Sequence, residues 1–168
     1  MASKDNILKA FPHLRGDPNF KITSQEDHSY NCIAWAAIKS DIFWWPSPNA
    51  NILDGLEWPF NLPFDLKLET FIRLYENLGY ERCDSWEFEH NFQKITIYVD
   101  KSDNCTHAAR QNFNGLWTSK LGRYEDIAHS DPFHLQNDEY GMAVQFMKRG
   151  NLSYDINKIR KGVIKATQ

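Results

Sequence analysis

The stretch Thr106–Gly122, THAARQNFNGLWTSKLG, decides how the chain is read. Asn114-Gly115 between two runs that suit a pleated strand is a strong short-range hairpin signal, because both residues tolerate positive φ. If the turn holds two residues, Phe113 pairs with Leu116, and Thr118 then shares a face with His107. A one-residue bulge replaces Thr118 by Ser119. Either register puts a histidine near the start of one strand and a hydroxyl on its neighbour.

Upstream, Lys94–Asp100 (KITIYVD) alternates Ile95, Ile97 and Val99 with Thr96 and Tyr98. That pattern predicts a strand buried on one side. Downstream, 138–150 (DEYGMAVQFMKRG) reads as a further strand ending at Gly150. Ahead of the strands, Asp65–Tyr80 carries Leu66, Leu68, Phe71, Ile72, Leu74, Tyr75 and Leu78 near the helical period, with Gly79 as a stop. Ser29–Ser40 (SYNCIAWAAIKS) is dense enough in apolar residues for a buried helix, with Ser29 or Asn31 as its cap, so Cys32 falls at its first turn. Helices followed by antiparallel strands make an α+β domain.

Residues 41–65 hold four of the seven prolines and three of the six tryptophans, which predicts an irregular, aromatic-rich excursion. Residues 1–28 are polar, broken by Pro12, Gly16 and Pro18, and read as an N-terminal arm with a short extended piece at Asn19–Thr23. The closing stretch 152–168 is amphipathic and grades into a basic tail at 158–168. One domain is expected over residues 1–168.

The formal charge is −3, from 19 Lys+Arg against 22 Asp+Glu, with the signs interspersed. No electrostatic footprint for nucleic acid follows. No run approaches the ~18 apolar residues of a membrane span, and no signal-peptide core opens the chain. Three cysteines, Cys32, Cys83 and Cys105, make no paired framework. A cytoplasmic protein is expected, any export proceeding without a signal peptide.

The chemistry centres on Cys32. A thiol at a helix start gains from the local dipole, and His107, at a strand end, is the base it would need. Ser119, Thr118 or Asp126 would orient the imidazole through its other nitrogen. Trp44, Trp45 and Trp58 of the excursion, with Arg110 and Trp117, are the candidate substrate-binding residues. A zinc set of His28, Cys32, Cys105 and His107 can be written down, but neither pair has finger or ribbon spacing, so no metal is expected. No cofactor is implied.

A cysteine opening a helix and a histidine opening an antiparallel strand resemble the papain-like thiol hydrolases and their NlpC/P60-type relatives. His107, Asn114-Gly115 and Ser119 match the spacing of those relatives, and Gln25, seven residues before Cys32, matches their oxyanion-binding glutamine. The segments YNCIAWA, THAARQ, WTSKLG and DIAH look more specifically like a bacterial domain family of unknown function, over residues 28–149. The papain-like resemblance implies thiol-dependent hydrolysis or transfer at an amide, isopeptide or thioester of a peptide, a protein or a small molecule. The alternative is a non-catalytic module, an immunity or accessory protein, that docks a protein partner through the aromatic loop 43–64.

Overall fold

The computed structural model describes residues 4–25, 27–122 and 125–150. Arg123 and the closing amphipathic stretch with its basic tail lie outside the described residues. The described elements are α1 (Lys4–Ala10), β1 (Lys21–Ile22), α2 (Cys32–Ala36), β2 (Phe43–Trp44), β3 (Leu56–Glu57), α3 (Leu68–Glu76), β4 (Glu81–Cys83), β5 (Phe92–Val99), β6 (Cys105–Gln111), β7 (Trp117–Lys120), β8 (Asp126–His129) and β9 (Met142–Gly150). Short 3-10 helices occupy Pro12–Gly16 and Pro132–Leu135.

Seven strands form one antiparallel sheet in the order β1-β8-β7-β6-β5-β9-β4. β2 and β3 form a separate parallel pair within the aromatic excursion. The fold is α+β, with both faces of the sheet covered. On one face α2, α3 and the excursion bury Ile33, Trp44, Trp58, Phe71, Tyr75, Ile95, Ile97 and Ala108. On the other, α1 and the first 3-10 helix bury Ile7, Leu8, Phe11 and Leu14 against Tyr98, Ala109, Trp117 and Ile127.

This second layer corrects two expectations. The residues expected as a polar arm supply four of the ten buried residues of that core, because Ile7, Leu8, Phe11 and Leu14 recur on one side of a helix that continues into a 3-10 turn at Pro12. In consequence β5 is buried on both sides: Thr96 and Tyr98 are as inaccessible as Ile95 and Ile97. The hydroxyls survive there because they are bonded. Tyr98 Oη donates to the Pro132 carbonyl at 2.6 Å and Thr96 Oγ1 to that of Gln145 at 3.0 Å.

The hairpin departs from a two-residue turn. Asn112 N–H donates to Leu116 O and Gly115 N–H to Asn112 O, so residues 113–115 form a three-residue loop with Gly115 at φ 85°. Arg110 therefore pairs with Thr118 and Gln111 with Trp117. Ser119, not Thr118, shares the face of His107.

Helix α2 ends in a Schellman arrangement, with Lys39 N–H on Ala34 O and Ile38 N–H on Trp35 O. Its left-handed position, where glycine is usual, is taken by Ile38 at φ 63°. Because Ala37 N–H closes onto Ala34, the Ile33 carbonyl is left for Tyr75 Oη of α3, at 2.9 Å. That bond ties the two helices together.

The open edge of β9 beyond β4 is capped by a side chain, since Ala143 N–H donates to Gln136 Oε1 at 3.1 Å. Just before β9, Gly141 has φ 73°, and a Cβ there would sit 1.8 Å from the Val99 carbonyl oxygen. Gly141→Ala is expected to cost more than about 2 kcal/mol in urea unfolding, whereas Gly16→Ala, where a Cβ meets nothing within 4 Å, should cost less than about 1 kcal/mol.

Candidate functional site

Asn31 builds the start of α2. Its Oδ1 accepts from Ala34 N–H at 3.2 Å, as an N-cap does, and from Trp44 N–H at 3.1 Å, while its Nδ2 donates to the Trp44 carbonyl at 2.8 Å. One side chain therefore caps the helix and clamps it to β2.

Cys32 follows, half-buried, with its sulfur against the Ala108 backbone N–H of β6. Burial pushes the thiol up to about 11; the Ala108 and Ile33 amides and the charge of Lys120 offset this only in part. Around it lies a polar cluster on the same side of the sheet. Tyr30 Oη donates to Asp126 Oδ2 at 2.8 Å, and Lys120 Nζ lies 4.0 Å from Asp126 Oδ1 and 5.3 Å from the Tyr30 ring. The Arg110 guanidinium stacks 3.6 Å above Trp35 and donates to its carbonyl at 2.9 Å, and Trp35 Nε1 donates to Thr118 Oγ1 at 3.3 Å.

His107 projects from the opposite face, stacked on Tyr140 at 4.2 Å and against Tyr98 at 5.2 Å. It belongs to a buried chain of hydrogen bonds. His107 Nε2 lies 3.1 Å from Ser119 Oγ, Ser119 Oγ lies 2.9 Å from His129 Nε2, and His129 Nδ1 lies 2.8 Å from the Asp131 carbonyl. Burial lowers both imidazoles, His129 to about 4, so each carries one proton at neutral pH. The carbonyl can only accept, which fixes the His129 proton on Nδ1. Ser119 then donates to His129 Nε2 and accepts from His107 Nε2–H. His107 Nδ1 is left bare, buried and without a partner.

The expected Cys32–His107 dyad is therefore not assembled. Successive residues of a strand point to opposite faces, and α2 packs on the face of Ala108 and Arg110, so His107 faces away from it. Of the three candidate orienters, only Ser119 meets His107; Thr118 and Asp126 serve Trp35 and Tyr30 on the Cys32 side. Gln25 is exposed in the segment between β1 and α2. The written-down zinc set falls apart for the same reason, and among the described residues no group of three His, Cys, Asp or Glu gathers. No helix among them is long and apolar enough to cross a membrane.

Residues 21–148 match the family described as a domain of unknown function, DUF7689. The chain belongs to this family. No curated protein matches it, and no solved structure does. The DUF7689 span runs from β1 into β9 and contains Cys32, the whole His107–Ser119–His129 chain and the excursion. Helix α1 and the first 3-10 helix, which seal the His107 face, stand before it.

The tryptophans expected to line a binding wall are structural in this DUF7689 domain. Trp44 and Trp58 are buried, with Nε1 bonded to Glu57 Oε1 at 3.1 Å and to the Pro63 carbonyl at 2.9 Å. Trp45 packs against Phe71, and Trp117 lies wholly inside the opposite core. Asn51, at φ 68°, locks the excursion by bonding both backbone groups of Trp58. What the excursion exposes is aliphatic and phenyl: Ile52 (76%), Leu53 (55%), Phe60 (46%) and Phe64 (58%).

His129, Tyr140 and Asp131 were not among the residues expected at a site. His129 could have been found from DIAH, where it follows Ile127 by two and so shares its face.

The buried imidazoles set the acid limit of the fold. Unfolded histidines take up protons near pH 6.5, the folded pair only well below it, so their contribution is full above about 6.5 and is lost as pH falls. Stability should fall by up to about 1.4 kcal/mol per pH unit for each histidine, down to about pH 4 for His129. Urea unfolding between pH 7.5 and 4.5 measures the slope, and a flat profile contradicts the assignment.

Proposed function

We propose that the domain is a protein-docking module whose contact surface is the aromatic excursion with the adjoining end of α2. The observation that carries this reading is the display of large apolar side chains from strained backbone. Ile38 (φ 63°) and Phe60 (φ 62°) occupy left-handed positions that favour glycine, and both are exposed. A β-branched residue at such a position costs about 1–2 kcal/mol, and persists where the surroundings over-determine it, commonly at functional surfaces. The buried tryptophans and the Asn31 and Asn51 clamps pre-order this surface, which lowers the entropy lost on docking. An accessory or immunity-type role fits a module of this kind.

A second reading, thiol-dependent acyl chemistry at Cys32, has one observation in its favour. The proton order of the buried chain leaves His107 Nδ1 unprotonated and unpartnered, the state of a general base. It requires α2 and β6 to rearrange so that thiol and imidazole meet, as in the papain-like layout. Iodoacetamide decides between the two. With the thiol near 11, Cys32 should be alkylated at pH 7 about a hundredfold more slowly than an ordinary cysteine, at a rate unchanged in His107→Gln. Rapid alkylation that vanishes in that variant restores the dyad.

Two measurements test the docking role. Ile38→Gly should leave stability unchanged or raise it by about 1 kcal/mol; a loss of more than about 1 kcal/mol would make Ile38 a packing residue. A benzophenone side chain placed at Phe60 or Phe64 in the native host should give a discrete protein adduct. The same group at Phe113, exposed on the β6–β7 hairpin, should not. Equal yields at all three positions, or none, defeat the proposal.

A further inference from the structure

Beside the exposed Leu53 lies a shallow groove of about 440 Å³ whose lining includes Ser29, Asp41, Phe43, Leu53, Asp54 and Leu56. Its character is mixed in a particular way. Phe43, Leu53 and Leu56 offer an apolar strip, while Asp41 and Asp54 bring two carboxylates to the same lining. Asp27, whose carboxylate accepts from Ser29 N–H at 2.9 Å, adds a third negative charge beside the Ser29 end. His28 lies in the same lining, and Lys39, just past the end of α2, is turned to the Trp44 ring at 5.6 Å.

The charge of the chain points the same way. Residues 151–168 hold four of the 19 Lys+Arg (Lys158, Arg160, Lys161, Lys165) and one of the 22 Asp+Glu (Asp155). Residues 1–150 thus carry 15 positive against 21 negative side chains, a net −6. An acidic body with a partly apolar, carboxylate-lined groove selects against acidic segments and for basic ones.

Resting on the docking role proposed above, we infer that the groove receives a segment of the partner protein in which one or two leucine-like side chains are flanked by lysine or arginine. The apolar side chains lie on Phe43, Leu53 and Leu56, and the cations pair with Asp41 and Asp54.

Fluorescence anisotropy on the full chain tests this with a labelled synthetic dodecapeptide in which Leu-Leu pairs alternate with lysines, and with a matched peptide carrying glutamate for lysine. The lysine peptide should bind at least tenfold more tightly than the glutamate peptide. Asp41→Asn with Asp54→Asn, or Leu53→Ser alone, should weaken it at least tenfold. Asp84→Asn with Glu87→Gln, exposed near β4, should change it less than twofold. Equal losses in both acidic pairs would reduce the effect to diffuse charge and overturn the inference, as would equal binding of the two peptides. Replacing Lys158, Arg160, Lys161 and Lys165 by glutamine reports on the chain's own tail; a tenfold gain in peptide affinity would make that tail the occupant and overturn the assignment to a partner. If benzophenone adducts form at Phe60 while the lysine peptide ignores Asp41 and Asp54, the docking role stands and the groove assignment falls.

Discussion

Strand β6 is covered on both sides, and most of the domain's polar architecture follows from that. A strand in a half-open sheet can send alternate residues to water. Here residues 105–111 are buried or, at Thr106 and Arg110, only partly exposed, so the polar side chains on β6 depend on internal partners. Arg110 finds the Trp35 carbonyl and ring on the α2 side. His107 finds Ser119, and through it His129 and the Asp131 carbonyl, on the α1 side. The sheet carries two separate polar clusters on opposite faces, and they do not meet.

The two halves differ in how they tie the structure together. On the α2 side, Tyr30, Trp35, Arg110, Thr118, Lys120 and Asp126 link the helix to three adjacent strands, and Cys32 sits among them with its sulfur near a backbone amide. A thiol pushed to about 11 stays protonated there and behaves as a small apolar group. On the α1 side, the directional order of three hydroxyl and imidazole groups ends at a bare nitrogen. Its lost hydrogen bond is an energetic cost that the stack on Tyr140 and the dense packing around it must offset.

Much of this fold was legible in the chain, for reasons that can be named. Helix α3 and strand β5 are legible through runs of a single period, β6 and β7 through the Asn114-Gly115 turn between them, and Gly79 and Gly150 mark where α3 and β9 stop. Helix α1 was hidden because Ile7, Leu8, Phe11 and Leu14 straddle a proline and are diluted by Lys4, Asp5, Asn6 and Lys9. Without α1 one side of the sheet would stand open, β5 would be half-buried and His107 would be accessible. The pairing of His107 with Ser119 was within reach of the hairpin signal, since a single extra turn residue selects it. The relation of Cys32 to His107 was not, because spacing along a chain does not say which face of a strand a distant helix will choose.

The aromatic excursion shows the same limit from the other side. Trp44, Trp45 and Trp58 carry the largest rings in the segment and drew attention as contact residues, yet their indole groups are the anchors, two of them bonded through Nε1 and all packed inward. The side chains left outside, Ile52, Leu53, Phe60 and Phe64, with Ile38 at the adjoining end of α2, pack little: two stand on left-handed backbone and the others have large fractions in water. Large apolar groups with little packing to gain, held on a segment that tryptophans and asparagines make stiff, have no evident use in the isolated chain. Their burial against a second surface would recover the transfer free energy that folding leaves unused, about 25 cal/mol for each Å² covered, without further ordering of the loop. That difference between what anchors the excursion and what it displays argues for a contact surface more directly than its aromatic content does.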